Sequence, residues 1–271
     1  MPVSKRQLAE FEDKHAWQIP FDTNPRHLAG PGDARHVTHG LAAAGWTRTS
    51  DPLNPHMVLT SPGHPRYRLQ YEPAPAASTW TLQADSTPYW YASFDALVPA
   101  EVLAAVTDAL VFPPPQQQPN PWQAASAADW RRDTPDEAQS PDGMCRIGLR
   151  TLGADRPPAW RVETREPGYD DYDGPVLWRA WFSDHTPAHL IAAFVTALTD
   201  TAPLQRGMHD RTAHYSVVQQ PSPLTPAQVV AAHTTRLDAL RAQARADRRR
   251  HHLNTTKAPA PPNTAAAPLR H

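Results

Sequence analysis

The segment Trp90-Tyr-Ala-Ser-Phe94, running on through Pro99, Val102, Leu103 and Ala104 to Leu110, returns later in the chain. Its second copy is Trp178-Arg-Ala-Trp-Phe182, running on through Pro187, Leu190, Ile191 and Ala192 to Leu198. The offset is 88 at both ends (178 − 90 and 198 − 110), so the match is ungapped over 21 positions. Self-similarity of this length means two copies of one structural unit and restricts the chain to duplicated architectures. Upstream the offset is 80: Trp80-Thr-Leu82 faces Trp160-Arg-Val162, and Arg66-Tyr67 faces Arg146-Ile147. The step from 80 to 88 places an eight-residue insertion in copy two, within Glu166–Pro175. Farther upstream Gly45-Trp46 faces Asp129-Trp130.

The repeat divides the chain. Residues 1–24 form an N-terminal extension, 25–112 unit one, 113–121 a Pro/Gln-rich linker and 122–202 unit two. A connector (203–223), a basic amphipathic helix (224–252) and a disordered tail (253–271) follow.

Periodicity within a unit predicts its elements. In unit one, Asp33 can cap a helix bearing Val37, Leu41 and Ala44, with Gly45 as its left-handed stop. Met57–Thr60, Arg66–Tyr71, Thr79–Ala84 and Tyr89–Phe94 read as strands, with Tyr67, Leu69, Tyr71, Trp80, Leu82, Trp90, Ala92 and Phe94 inward. Pro99 opens a helix with Glu101 in its first turn. Unit two repeats the plan with Pro121, Arg146–Thr151, Trp160–Thr164, Trp178–Phe182 and Thr186-Pro187. The expected fold is α+β: a tandem αββββα unit with an antiparallel four-stranded sheet and helices on one face. A C-terminal amphipathic helix carries Val230, His233, Leu237, Leu240 and Ala244 at spacings of 3, 4, 3 and 4.

Composition narrows the function classes. Thirty-two prolines and a mean hydropathy of −0.60 describe a loop-rich chain, and no stretch approaches the length of a spanning helix. Cys145 is the single cysteine, so no intrachain disulfide can form. The N-terminus is polar from the start, and the expected location is cytoplasmic. Residues from Arg236 onward hold eight basic residues and two Asp, a net of +6; the total of −1 leaves −7 on residues 1–235. A basic tail on a mildly acidic body is the pattern.

Several phrases together resemble a known family: Pro25-Arg-His-Leu-Ala-Gly30, Gly32-Asp-Ala-Arg-His-Val37, Ala44-Gly-Trp46 and Trp90-Tyr-Ala-Ser-Phe94 before Leu97-Val-Pro-Ala-Glu101. The chain is similar over roughly residues 25–200 to the actinobacterial domain-of-unknown-function family three-one-seven, which occurs as tandem copies. The bias of 23 Arg against 3 Lys fits a high-GC genome. The resemblance implies the tandem arrangement and carries no activity, cofactor or catalytic residues with it.

Two surfaces are candidates for binding. The outward positions of unit two gather Arg146, Arg150, Arg161, Arg165, Arg179 and Trp181, with Glu163 among them. Guanidinium and aromatic groups on a sheet face can grip phosphates and stack on bases, although such residues also populate ordinary solvated strands. The end of the last helix gathers Arg241, Arg245, Arg248, Arg249 and Arg250, which can meet a polyanion or complement the helix dipole. Its apolar stripe can dock on the body or on a second protomer.

Chemistry-bearing signatures are absent: no nucleophile elbow, no phosphate loop and no dinucleotide fingerprint occurs. His36/His39 and His185/His189 lack a Cys or carboxylate at a recognised ligand spacing, and Asp170-Asp-Tyr-Asp-Gly174 lacks the remaining ligands of a calcium loop. No catalytic residue, metal or cofactor is expected. The expected function is a binding or scaffolding module with a protein partner, no membrane association and possible self-association through the last helix. The alternative is a nucleic-acid-associated protein using the two arginine groups.

Overall fold

The computed structural model describes residues 3–51, 53–63, 65–73, 79–117, 120–151, 153, 157–168 and 173–256. The N-terminal extension holds α1 (Lys5–Ala16) and β1 (Pro20–Asn24). Ser4 and Gln7 close a reciprocal capping box at the start of α1. A 3-10 turn (Arg26–Leu28) leads into unit one: α2 (Arg35–Ala43), β2 (Thr47–Arg48), β3 (Met57–Thr60), β4 (Tyr67–Glu72), β5 (Thr79–Ala84), β6 (Tyr91–Asp95) and α3 (Ala100–Val111). Unit two has the same order: α4 (Pro121–Ala127), β7 (Arg131–Thr134), β8 (Glu137–Gln139), β9 (Cys145–Arg150), β10 (Ala159–Arg165), β11 (Val176–Phe182) and α5 (Ala188–Thr199). Then come β12 (Leu204–Gly207), β13 (Val218–Pro221) and α6 (Pro226–Thr256).

The fold is α+β with antiparallel sheets. Among the described residues each unit has five strands between its helices, one more than the four-stranded plan expects. The additional strands carry no alternation to read: Thr47 and Arg48 are both exposed, and so is every residue of β7. The extension and the connector meet as a small sheet, β12-β1-β13, in which Pro20 pairs with Gly207 and Phe21 with Pro221.

The repeat is visible in backbone detail. At the end of α2, Gly45 takes φ +92°, and Trp46 N donates to Leu41 O at 3.0 Å. Asp129 takes φ +59° at the matching point after α4, and Trp130 N donates to Ala125 O at 3.0 Å. Both tryptophans are buried. A left-handed stop is thus kept in both copies, by glycine in one and by an L-residue in the other.

The two units join edge to edge into a ten-stranded sheet, β2-β3-β4-β5-β6-β11-β10-β9-β8-β7. The seam is β6 against β11, with Phe94 opposite Ala180, Ser93 opposite Trp181 and Ala92 opposite Phe182. Since 181 − 93 = 88, Ser93 and Trp181 are the same position of the two copies, and a pseudo-twofold axis passes between them. Tyr91 N donates to Ser183 Oγ at 2.9 Å, and Arg179 N donates to Asp95 Oδ2 at 2.9 Å. These bonds are images of each other, because 179 − 91 and 183 − 95 are also 88.

One sheet face is apolar. Trp80, Leu82, Ala84, Ala92, Phe94, Val162, Trp178, Ala180 and Phe182 are buried there with Val102, Val106, Leu190, Phe194 and Val195 of the helices, in one core shared by both units. Phe94, Phe182 and Phe194 form an aromatic cluster with centroids 5.3–5.7 Å apart. The dyad-related helices α3 and α5 pack against each other. α6 lies on α1, α2 and α3.

Candidate interaction surfaces

The face of the large sheet turned away from this core is lined by residues that pairing places in rows. Along the axis row lie Val58, Gln70, Thr81, Ser93, Trp181, Arg161, Gly148 and Glu137. In the neighbouring rows lie Arg68, Gln83 and Tyr91 on the unit-one side and Arg179, Glu163, Arg146 and Gln139 on the unit-two side. Tyr91 is exposed and Trp181 half-buried, so an aromatic pair stands near the seam.

Five of the sequence-predicted arginines and Trp181 share this face, and the structure adds what balances them. Glu163 is buried and accepts from Arg161, Arg165 and Arg179, the last at 2.8 Å. Burial alone would raise its pKa, but hydrogen bonds from Arg179 and Arg165 and the charge of Arg161 outweigh it and hold the carboxyl below its usual range. Arg146 lies 3.4 Å from Asp173 and Arg150 lies 3.7 Å from Glu137. Most of the positive charge on the face is thereby answered locally.

The second arginine group lies along α6. Arg241 pairs with Asp238 at 2.7 Å and Arg250 pairs with Asp247. Arg245, Arg248 and Arg249 are exposed and form no ion pair with a described residue. The apolar stripe of the helix is turned to the body, where His233, Leu237, Leu240 and Ala244 are buried; at its start Val229 is buried and Val230, the predicted position, is only half-buried. Asp170, Asp171 and Tyr172 of the calcium-loop-like stretch, and the tail from Lys257, lie outside the described residues.

Between α3 and α5 on the dyad runs a groove of about 620 Å³ that sequence reasoning left without residues. Its lining is symmetric: Glu101, Ala105, Asp108, Ala109 and Phe112 against His189, Ala193, Thr196, Ala197 and Asp200, each pair 88 apart. The floor is methyl groups, and the rim charges are paired. Arg26 donates to Asp200 at 2.8 Å and to the carbonyls of Ala197 and Ala202 at 2.7 Å. Arg236 bonds both oxygens of Asp108 at 2.6 Å. Buried Arg206 binds Glu101 at 2.6 and 3.0 Å. Burial opposes ionisation of Glu101, but the charge of Arg206 and its hydrogen bonds outweigh it and hold its pKa down at about 2.

A histidine cluster sits where α1, α2 and α6 meet. Phe11 stacks on His233 with centroids 4.0 Å apart, and His15, His36 and His39 surround the pair. His39 Nδ1 lies 3.3 Å from His233 Nε2. Among the described residues no three His, Cys, Asp or Glu side chains are arranged to hold a metal ion. Cys145 is fully buried, and burial pushes its thiol pKa up, which removes it as a nucleophile. No helix among the described residues is long and apolar enough to cross a membrane.

No curated protein and no solved structure matches the chain. The family model named SPDY, a domain of unknown function (DUF317), matches residues 60–116 and 139–204. The first match spans β4, β5, β6 and α3, and the second spans β9, β10, β11 and α5. These are the elements that build the two sides of the seam, and the SPDY (DUF317) model thus matches the chain twice, in tandem, once on each side of it.

Proposed function

We propose that this protein is a binding module that engages a macromolecular partner, in the first place a protein, through the polar face of its ten-stranded sheet. The observation that supports this reading is the pair Tyr91 and Trp181 standing near the seam of that face, with Arg161 opposite Trp181 and Arg179 beside it along the strand. Aromatic anchors beside arginines are the side chains that dominate protein interfaces when a partner desolvates them. Local neutralisation by Glu163, Glu137 and Asp173 favours a protein surface over a polyanion, because little net positive charge is left to follow a phosphate chain.

The test is affinity capture from the native cell extract with the wild-type chain and with Tyr91→Ala/Trp181→Ala. A protein retained by the first and lost by the second should rebind the wild type when purified. Equal capture by both proteins, with equal thermal melts, would move the partner surface elsewhere.

A second reading rests on a separate observation, the three exposed arginines Arg245, Arg248 and Arg249, which form no ion pair with a described residue. They support nucleic-acid association through the end of α6. Mobility shifts with short DNA and RNA across a salt series test it. Binding that weakens steeply with salt and is lost in R245E/R248E/R249E supports this reading, and absence of binding removes it.

A further inference from the structure

The docking of α6 combines a narrow apolar strip, Val229, Leu237, Leu240 and Ala244, with a cluster of imidazoles. Its apolar contact with the α2 side is Leu237 and Leu240 against Val3 and Ala43, with Leu8, Ala42 and Val111 at the margin. Its polar contacts are the fork of Arg236 on Asp108, a bond from Arg236 to His36 O at 2.9 Å, and the His39–His233 contact. That last contact needs one nitrogen donating and the other accepting, so it tolerates at most one protonated ring. Protonating the accepting nitrogen, or both rings, sets two N–H groups against each other in a site closed by Phe11. The buried Nδ1 of His233 and Nε2 of His15 have no hydrogen-bond partner, so a proton added at either gains nothing to bond.

The charged groups around the rings come from five elements and their leading loops. α1 brings Glu10, Lys14 and His15; α2 and its approach bring Asp33, Arg35, His36 and His39. α3 brings Glu101 and Asp108, β12 brings Arg206, and α6 brings His233 and Arg236. The nearby acids are already engaged: Glu10 by Arg6 at 2.9 Å, Asp33 by Lys14 at 3.0 Å and Arg35 at 2.7 Å, Asp108 by Arg236, and Glu101 by Arg206, with His36 Nε2 3.5 Å from it. No free carboxylate is left to receive an imidazolium at the His39–His233 contact.

We propose that the histidine cluster is an acid-sensitive latch: α6 is docked on α1, α2 and α3 while the imidazoles are neutral and is released when they take up protons. Released, α6 uncovers the α2–α3 surface at Gly40, Ala43 and Val111. This inference does not depend on the sheet-face reading, since the cluster lies on the opposite side of the core.

The direction follows from burial. Desolvation lowers all four imidazoles, with His39 at about 4 and His233 at about 3. A group that resists protonation when docked favours the undocked state as pH falls through its free value of 6.5. Docking is therefore complete above that value and weakens progressively below it, toward the values of the docked rings. Asp33, held below the usual carboxylate range although burial opposes this, and Glu101 at about 2 keep their charges throughout that window.

Hydrogen exchange of the full chain from pH 7 to pH 5, corrected for intrinsic rates, reads the latch directly. Two protons taken up on opening predict that protection of the amides in 233–244 falls about a hundredfold per pH unit below 6, while β10 and β11 hold theirs. Equal protection of α6 and the sheet at every pH would overturn the proposal. In H39Q/H233Q the pH response should flatten to less than about tenfold per unit. Should that variant lose α6 docking at neutral pH, imidazole titration by NMR on the wild type decides. His39 and His233 remaining neutral until α6 opens supports the latch, and ordinary titration near 6.5 with α6 still protected refutes it.

Discussion

Phe94 and Phe182 occupy the same position of the two copies and meet edge to face, ring centroids 5.5 Å apart and planes at 84°. Each is fully buried, and each also touches Phe194. The core of either unit is thus completed by the other, which makes the two repeats one cooperative body.

Phe182→Ala should cost about 3–5 kcal/mol, the usual loss for a buried phenylalanine. Guanidinium denaturation followed separately by far-UV circular dichroism and tryptophan fluorescence should show one coincident transition. Two transitions, one per unit, would contradict a shared core.

Ser183→Ala removes the acceptor for Tyr91 N at the seam, a partly buried hydrogen bond of 2.9 Å. The expected loss is about 1 kcal/mol, seen as a lower denaturation midpoint at unchanged slope.

Asp129 pays for a left-handed backbone that Gly45 takes freely. Asp129→Gly should therefore leave stability unchanged or raise it by up to about 1 kcal/mol, whereas Gly45→Ala should lower it by about 1 kcal/mol or more. Thermal melts of the two variants should move in these opposite senses.

Glu163→Gln leaves three guanidinium groups without their shared charge. The arginines are a quarter to a half exposed, so solvent screens them and the expected cost is about 1–2 kcal/mol rather than that of a fully buried pair. The carboxyl is held low in the folded state, so its contribution is present above the ordinary glutamate value near 4.5 and is lost as pH falls through the depressed one. The difference in stability between wild type and variant should shrink below pH 4.

Cys145 should be inert to thiol reagents at pH 8 in the folded chain and react stoichiometrically once unfolded. Reaction without unfolding would show that the β9 core opens locally.

The repeat and the alternation of Thr79–Ala84 predict β5 without error, and the prolines at 99, 121 and 187 mark the helix starts. What stays hidden is what depends on distant pairing. Nothing local in Pro20–Asn24 announces a partner at Leu204–Gly207, because both strands are short and neither shows a buried/exposed alternation. The seam is hidden for the same reason: Tyr91–Asp95 reads as a strand, but not as one whose free edge is taken by its own counterpart. At the sheet face the arginines are legible and the role of Glu163 is not, since one carboxylate among five arginines reads as a minority charge until three of them converge on it. The histidine cluster draws on three helices far apart in sequence, and only the His36/His39 spacing and the place of His233 in the α6 stripe foreshadow it.

A true homodimer must put identical side chains on both sides of its axis, so a bulky residue there meets its own image. Here the axis has serine on one side and tryptophan on the other. Joining the two copies in one polypeptide removes the identity requirement at the very position where it is strictest. The indole of Trp181 faces a serine instead of a second indole, and the protein gains at its centre a lopsided feature that no symmetric pair of single-copy chains can form.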